Sequence, residues 1–104
     1  MPNYDELWTL IQRIPSGRVS CYGDLGKALR NPVSGLLVGR WMRSSPPGVP
    51  WWRVVGKNGS FLIGRQSPEL AIEQEQRLIA EGVKVEGGRV TTTAFIAFSD
   101  LFED

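Results

Sequence analysis

Trp51 and Trp52 stand side by side in an apolar run, Pro50-Trp51-Trp52-Arg53-Val54-Val55, in a chain with one cysteine, Cys21, and no histidine. That inventory bounds the chemistry. A cysteine nucleophile acts as the thiolate and needs a neighbouring base to activate it. A zinc site needs several cysteine or histidine ligands. The chain offers neither set, and Cys21 reads as a small buried hydrophobe. The other candidates are carboxylates: Glu69, Glu73 and Glu75, or Asp100, Glu103 and Asp104. Scattered along a helix and a tail, such acids read as solvated surface more readily than as ligands for a divalent ion. The expected catalytic residues are therefore none, and no metal or cofactor is expected.

Charge points to binding. The net charge of +1 hides a segregation: residues 11–57 carry Arg13, Arg18, Lys27, Arg30, Arg40, Arg43, Arg53 and Lys57 against Asp24, a net +7, and the remainder carries −6. A basic middle between acidic flanks suits a protein that offers one face to a polyanion. Residues 33–44 sit inside that segment. On a helical wheel at about 100° per residue, Ser34, Leu37, Val38, Trp41 and Met42 gather on one arc, the core face. Gly35, Leu36, Gly39, Arg40 and Arg43 gather on the other. Glycines let a backbone approach closely, and arginines meet phosphates. Leu36 is the one large apolar side chain on that arc.

The elements that must position these residues follow from periodicity and punctuation. Residues 4–13 read as a helix with Asn3 and Glu6 as a capping box and Tyr4, Leu7, Trp8, Ile11 and Ile14 as its stripe. Pro15-Ser16-Gly17 is a turn. Ser20 is placed to cap a helix over about 22–30, with Leu25 and Leu29 inward, which Asn31-Pro32 breaks. A third helix spans about 33–44 and stops before Pro46-Pro47-Gly48. Two short helices joined by a tight turn, the second rich in basic residues, fit a helix-turn-helix. Residues 49–56 are β-prone, and plain core packing is one reading of Trp51 and Trp52 there. Ser67-Pro68-Glu69 opens a helix that ends at Glu81-Gly82, with Leu70, Ile72, Leu78 and Ile79 as its buried positions. Val83–Val90 reads as a hairpin around Gly87-Gly88. The tail 92–104 has room for one amphipathic helix using Phe95, Phe98, Leu101 and Phe102.

With 104 residues this is one domain, 1–104, with a single modest core. No apolar run approaches the roughly 18 residues of a membrane span, and the acidic start lacks a signal-peptide pattern. A lone cysteine cannot form an internal disulfide, which favours a reducing, cytoplasmic setting, nucleoid-associated in a bacterium. The expected fold is mainly α with small β elements, a winged-helix-like helix-turn-helix domain, and the expected state is a monomer.

The run Pro50-Trp51-Trp52-Arg53-Val54-Val55 resembles the active-site motif of the O6-alkylguanine-DNA alkyltransferases. The order of other pieces supports it: Ile14-Pro15-Ser16-Gly17-Arg18-Val19 with Tyr22-Gly23-Asp24-Leu25, Asn31-Pro32 with Val38-Gly39, and Glu81-Gly82. In that family the second motif position is the alkyl-accepting cysteine and the third a histidine. Both are tryptophan here, so the chain is similar to the alkyltransferase-like proteins, which bind damaged DNA without removing the alkyl group. The resemblance implies a helix that inserts through the minor groove beside a flipped-out nucleotide. It implies DNA contacts at Tyr22, Ser34, Gly35, Leu36, Gly39, Arg40 and Arg43, and a lesion pocket of Tyr22, Trp51 and Val54, bordered by the loop Phe61–Ser67. Leu36 falls where the family carries an arginine that fills the vacated gap, a departure that favours an apolar wedge. Of Trp51 and Trp52, one is expected to pack inward and the other to line the pocket. Arg53 is expected to tie loops together, and Glu81 to keep a structural role now that the histidine it would polarise is Trp52.

The partner expected is double-stranded DNA, alkylated at O6 of guanine, with hand-off to nucleotide excision repair proteins implied by the resemblance alone. Two alternatives stand beside this: a DNA-binding or architectural protein with little lesion specificity, and a metal-dependent DNA-cleaving enzyme using the acids above.

Overall fold

The computed structural model describes residues 4–102. Its order is α1 (Tyr4–Gln12), β1 (Ser20–Cys21), α2 (Tyr22–Ala28), α3 (Gly35–Trp41), β2 (Val54–Val55), α4 (Pro68–Ala80), β3 (Val85–Glu86) and β4 (Arg89–Val90). Among the described residues, three short 3-10 turns lie in the connections and two more follow β4. The class expected from sequence, helical with small β elements, is the one observed.

A two-strand parallel ladder divides the interior. Ser20 pairs with Val54 and Cys21 with Val55. Successive strand residues face opposite sides. Val54 accordingly joins Leu7, Leu10, Ile11, Ile14, Leu25 and Val38 on one side. Val55 joins Val19, Leu78, Val83 and Val90 on the other. The first cluster seats α1, α2 and α3, and the second seats α4 and the hairpin.

α1 buries Leu7, Leu10 and Ile11 and is stopped by Pro15 after Ile14 enters the core. Leu10 replaces Tyr4 and Trp8 as a core member; Tyr4 is exposed and stacks on Trp8 and edge-on to Trp41. The Asn3 cap lies outside the described residues. Ser20 caps nothing: it is a strand residue, buried, and Cys21 holds the N-cap position of α2 without a side-chain bond. α2 ends at Ala28 because the chain doubles back over it. Val33 N–H donates to Gly26 O, and a Cβ on Gly26 would lie 2.2 Å from Val33 O, so only glycine fits.

The third helix starts two residues later than the pattern predicts and tightens to 3-10 after Trp41. The run 49–56 is mostly not strand: Trp51–Arg53 form a 3-10 turn and only Val54–Val55 pair. At α4 both ends match expectation. The Ser67 hydroxyl accepts from Leu70 N–H, Pro68 opens the helix, and Gly82 at φ +88° closes it. Val83 N–H reaches Leu78 O and Gly82 N–H reaches Ile79 O, a Schellman closure. The buried face does not match. Leu70, Ile72 and Ile79 are exposed, and Gln74 and Leu78 are the buried residues. The hairpin turns at Gly87-Gly88, both left-handed, as expected. The described part of the tail, 92–102, holds two 3-10 turns, not one helix; Leu101 is buried while Phe98 and Phe102 face solvent, and Glu103 and Asp104 lie outside the described residues.

Candidate nucleic-acid interface

α3 is presented by α2. Ser34 caps it, its hydroxyl accepting from Leu37 N–H at 3.2 Å. Val38 is fully buried, and Trp41 and Met42 lean on the first core cluster. Leu36 projects outward with 72% of its surface exposed, the largest fraction among the large apolar residues described. Arg40 and Arg43 are exposed on the same arc. The wheel therefore placed Leu36 and both arginines correctly.

The glycines of that arc also border α2. A Cβ on Gly35 would lie 3.0 Å from Gly23 N and 3.2 Å from Gly23 Cα, and one on Gly39 would lie 3.9 Å from the Tyr22 ring. The backbone at the start of α2 approaches Gly35, whose smallness seats one helix against the other, while Gly39 meets only the Tyr22 ring at ordinary contact distance. Ser34 is likewise engaged in capping. Tyr22 is half-buried against the first cluster and beside Gly39, and burial pushes its phenol pKa up.

The two tryptophans divide. Trp52 packs into the second cluster, and its indole N–H donates to Glu81 Oε2 at 2.9 Å. Guanidiniums stand over its ring, Arg53 at 5.6 Å and Arg77 at 4.6 Å from the centroid. Trp51 meets it edge-on, centroids 6.1 Å apart, and belongs to neither core cluster. Val54 is wholly buried in the first cluster. It supports the segment from behind and lines no accessible surface, a correction to the expected pocket.

Glu81 is the hub. It accepts from Trp52, from Arg53 Nη2 at 2.8 Å and Nε at 3.1 Å, and from Gly17 N–H at 3.0 Å. Arg53 Nη1 also donates to Ile14 O at 2.9 Å. One carboxylate thus ties the turn that follows α1, the Trp51–Arg53 turn and the end of α4. Burial works against its charge, but the bonds from Arg53, Gly17 and Trp52 and the Arg53 charge outweigh it, and its pKa falls to about 2. Sequence reading missed Gln74. Its amide donates to Trp52 O at 3.1 Å and Val54 O at 2.8 Å, holding the tryptophan turn to α4. The signal was its spacing: Gln74, Leu78 and Glu81 fall on one helical face.

An open groove of about 590 Å³ runs beside β2, lined by Gly56, Lys57, Asn58, Ser60, Leu62 and Arg65. Leu62 and Arg65 come from the loop expected to border a pocket. Tyr22, Trp51 and Val54 do not line this groove. The Cys21 thiol is buried, and burial raises its pKa. Among the described residues no three acidic, cysteine or histidine side chains gather as metal ligands; Glu73 is paired with Arg77. Among the described residues no helix is long and apolar enough to cross a membrane.

With this geometry in hand, the family model of the 6-O-methylguanine DNA methyltransferase DNA-binding domain matches residues 2–83. The chain belongs to that family. It is 39% identical over 83 residues to the DNA base-flipping protein of Escherichia coli, covering 78% of this chain and 62% of that one. It is 33% identical over 101 residues to a bifunctional methyltransferase/endonuclease of Thermoplasma volcanium, covering 94% of this chain but 31% of that one. It thus spans under two thirds of the length of both. In solved structures it resembles Schizosaccharomyces pombe Atl1 in complex with damaged DNA containing O6-carboxymethylguanine, at TM-score 0.79 and 26% identity over 93% of this chain and 99% of that one.

Proposed function

We propose that this protein binds duplex DNA through α3, recognises O6-alkylguanine, and leaves the alkyl group in place, marking the site for nucleotide excision repair. The Trp51-Trp52 pair carries the reading. The position that the family uses as alkyl acceptor has no sulfur. The position it uses as base is an indole, which is a donor only, and its N–H is engaged with Glu81. The buried Cys21 is a poor substitute nucleophile, because a raised pKa leaves little thiolate. Relatives named for base flipping, and the likeness to Atl1 bound to a damaged duplex, support the lesion-binding half. The DNA contacts we assign are Leu36, Arg40 and Arg43, with Tyr22, Ser34, Gly35 and Gly39 shaping the surface behind them and Trp51 facing the extrahelical base.

The no-transfer half is tested by incubating the protein with a duplex carrying O6-methylguanine labelled in its methyl group. The label is expected to stay on DNA. Stoichiometric label on the protein, at Cys21 or elsewhere, contradicts it. A second reading, duplex binding with little lesion preference, is favoured by Leu36. An aliphatic wedge unstacks base steps, but it cannot hydrogen-bond the base left behind by a flipped nucleotide.

A further inference from the structure

Four exposed cations, Lys27, Arg30, Arg40 and Arg43, sit on the helix-turn-helix, but they are not the whole exposed positive surface. Lys57, on the turn after β2, and Arg65, at the end of the 3-10 turn Leu62–Arg65, both line the open groove. Both are exposed, and neither is ion-paired among the described residues. Arg89 joins them from the hairpin. It is bridged antiparallel to Ser60, and residues directly opposite in such a ladder project from the same face. Arg89 therefore stands on the face from which Ser60 borders the groove. Glu86 lies across the hairpin from Arg89 but is held by Lys84 at 3.0 Å. Lys57, Arg65, Lys84 and Arg89 against Glu86 leave a net +3.

The framework beneath is firmly built. Gly56 N–H donates to Ser60 O at 2.8 Å, Gly59 N–H to Gly56 O at 2.9 Å, and Val90 N–H to Gly59 O at 3.0 Å. Asn58 Oδ1 accepts from Ser60 N–H at 3.2 Å. The turn and the hairpin therefore hold the backbone that carries Lys57 and Arg89 in a fixed relation. An open groove bordered by three exposed cations suits an extended polyanion better than an enclosed small molecule.

We propose that this groove is a second DNA-contact site, which takes backbone phosphates other than those met by α3. The proposal rests on the DNA-binding reading above. It is tested with the full chain on two duplexes, one unmodified and one carrying a single O6-methylguanine, over a salt series. Lys57→Ala/Arg65→Ala is expected to reduce the slope of log affinity against log salt by about two, and addition of Arg89→Ala by about three, equally on both duplexes. Arg40→Ala/Arg43→Ala reduces it separately, and the two sets add. All five side chains are exposed, so the thermal midpoints stay at the wild-type value. An unchanged slope in Lys57→Ala/Arg65→Ala, beside a loss in Arg40→Ala/Arg43→Ala, overturns the groove and leaves the α3 reading standing. A loss confined to the lesion duplex also overturns it, because the groove would then read the base and not the backbone. A wild type that binds neither duplex removes the DNA reading itself.

Discussion

Leu36 and Glu81 mark the two poles of this molecule, one side chain unsupported by the fold and one supported from three directions. Leu36 is 72% exposed, so shortening it should barely touch the fold. Leu36→Ala is expected to weaken duplex binding and bending while changing stability by less than about 0.5 kcal/mol. Leu36→Arg should raise preference for O6-methylguanine, since a guanidinium can hydrogen-bond the orphaned base; 2-aminopurine fluorescence beside the lesion reports the unstacking. A stability loss of about 2 kcal/mol in Leu36→Ala would mark it as a core residue and end the wedge reading. Glu81 behaves oppositely. Its folded pKa, about 2, lies below its ordinary value of 4.5, so its contribution is present above pH 4.5 and is lost as pH falls toward 2. Acid titration of stability should show this loss, and Glu81→Gln should remove most of it while lowering stability at pH 7. An acid limb unchanged in Glu81→Gln would place the linkage in other carboxylates. The structural role of Arg53 followed from the family resemblance. The position of Gln74 did not, because a buried amide breaks the apolar pattern that marks a helix's inner face.

At the scale of elements, the ends of α4 were more legible than its faces. Ser67-Pro68 and Glu81-Gly82 announce α4 because capping is local chemistry. The buried face of α4 is set by what it packs on, and it packs on the polar carbonyls of Trp52 and Val54, so Gln74 lies inside and Ile72 and Ile79 outside. The apolar segment 49–56 has strand propensity but only a two-residue partner, β1, and tertiary context made the rest a 3-10 turn. The α2–α3 seam gives a paired prediction. Gly35→Ala puts a methyl at 3.0 Å from the rigid start of α2 and should destabilise by about 1–3 kcal/mol, with loss of DNA binding as α3 shifts. Gly39→Ala meets the Tyr22 ring at 3.9 Å, an ordinary contact, and should be neutral or stabilising by up to about 1 kcal/mol through helix propensity. Equal losses of stability in both variants would show that the seam is not what makes glycine necessary.

Across the whole molecule, the charge count from sequence overstated the charge available to DNA. Of the basic residues in 11–57, Arg13 donates to Leu101 O, Arg18 to Ala94 O and Phe95 O, and Arg53 to Glu81 and Ile14 O. A sequence cannot reveal that three arginines serve as internal braces. What remains exposed and without an ion pair among the described residues is Lys27, Arg30, Arg40 and Arg43 on the helix-turn-helix, and Lys57, Arg65 and Arg89 around the groove. At about 0.9 per phosphate neutralised, the helix-turn-helix set alone predicts a salt slope of about −4. A slope near zero would deny a phosphate-facing surface altogether. The proposed function has this family member exchange alkyl transfer for lesion recognition. Its most direct test is the equilibrium affinity of the wild-type chain for one duplex with guanine and the same duplex with O6-methylguanine, at a single stated salt concentration. Tighter binding to the O6-methylguanine duplex is expected, by about tenfold, or about 1.4 kcal/mol. Equal affinity for the two duplexes would contradict it and leave a DNA-binding protein that does not read the lesion.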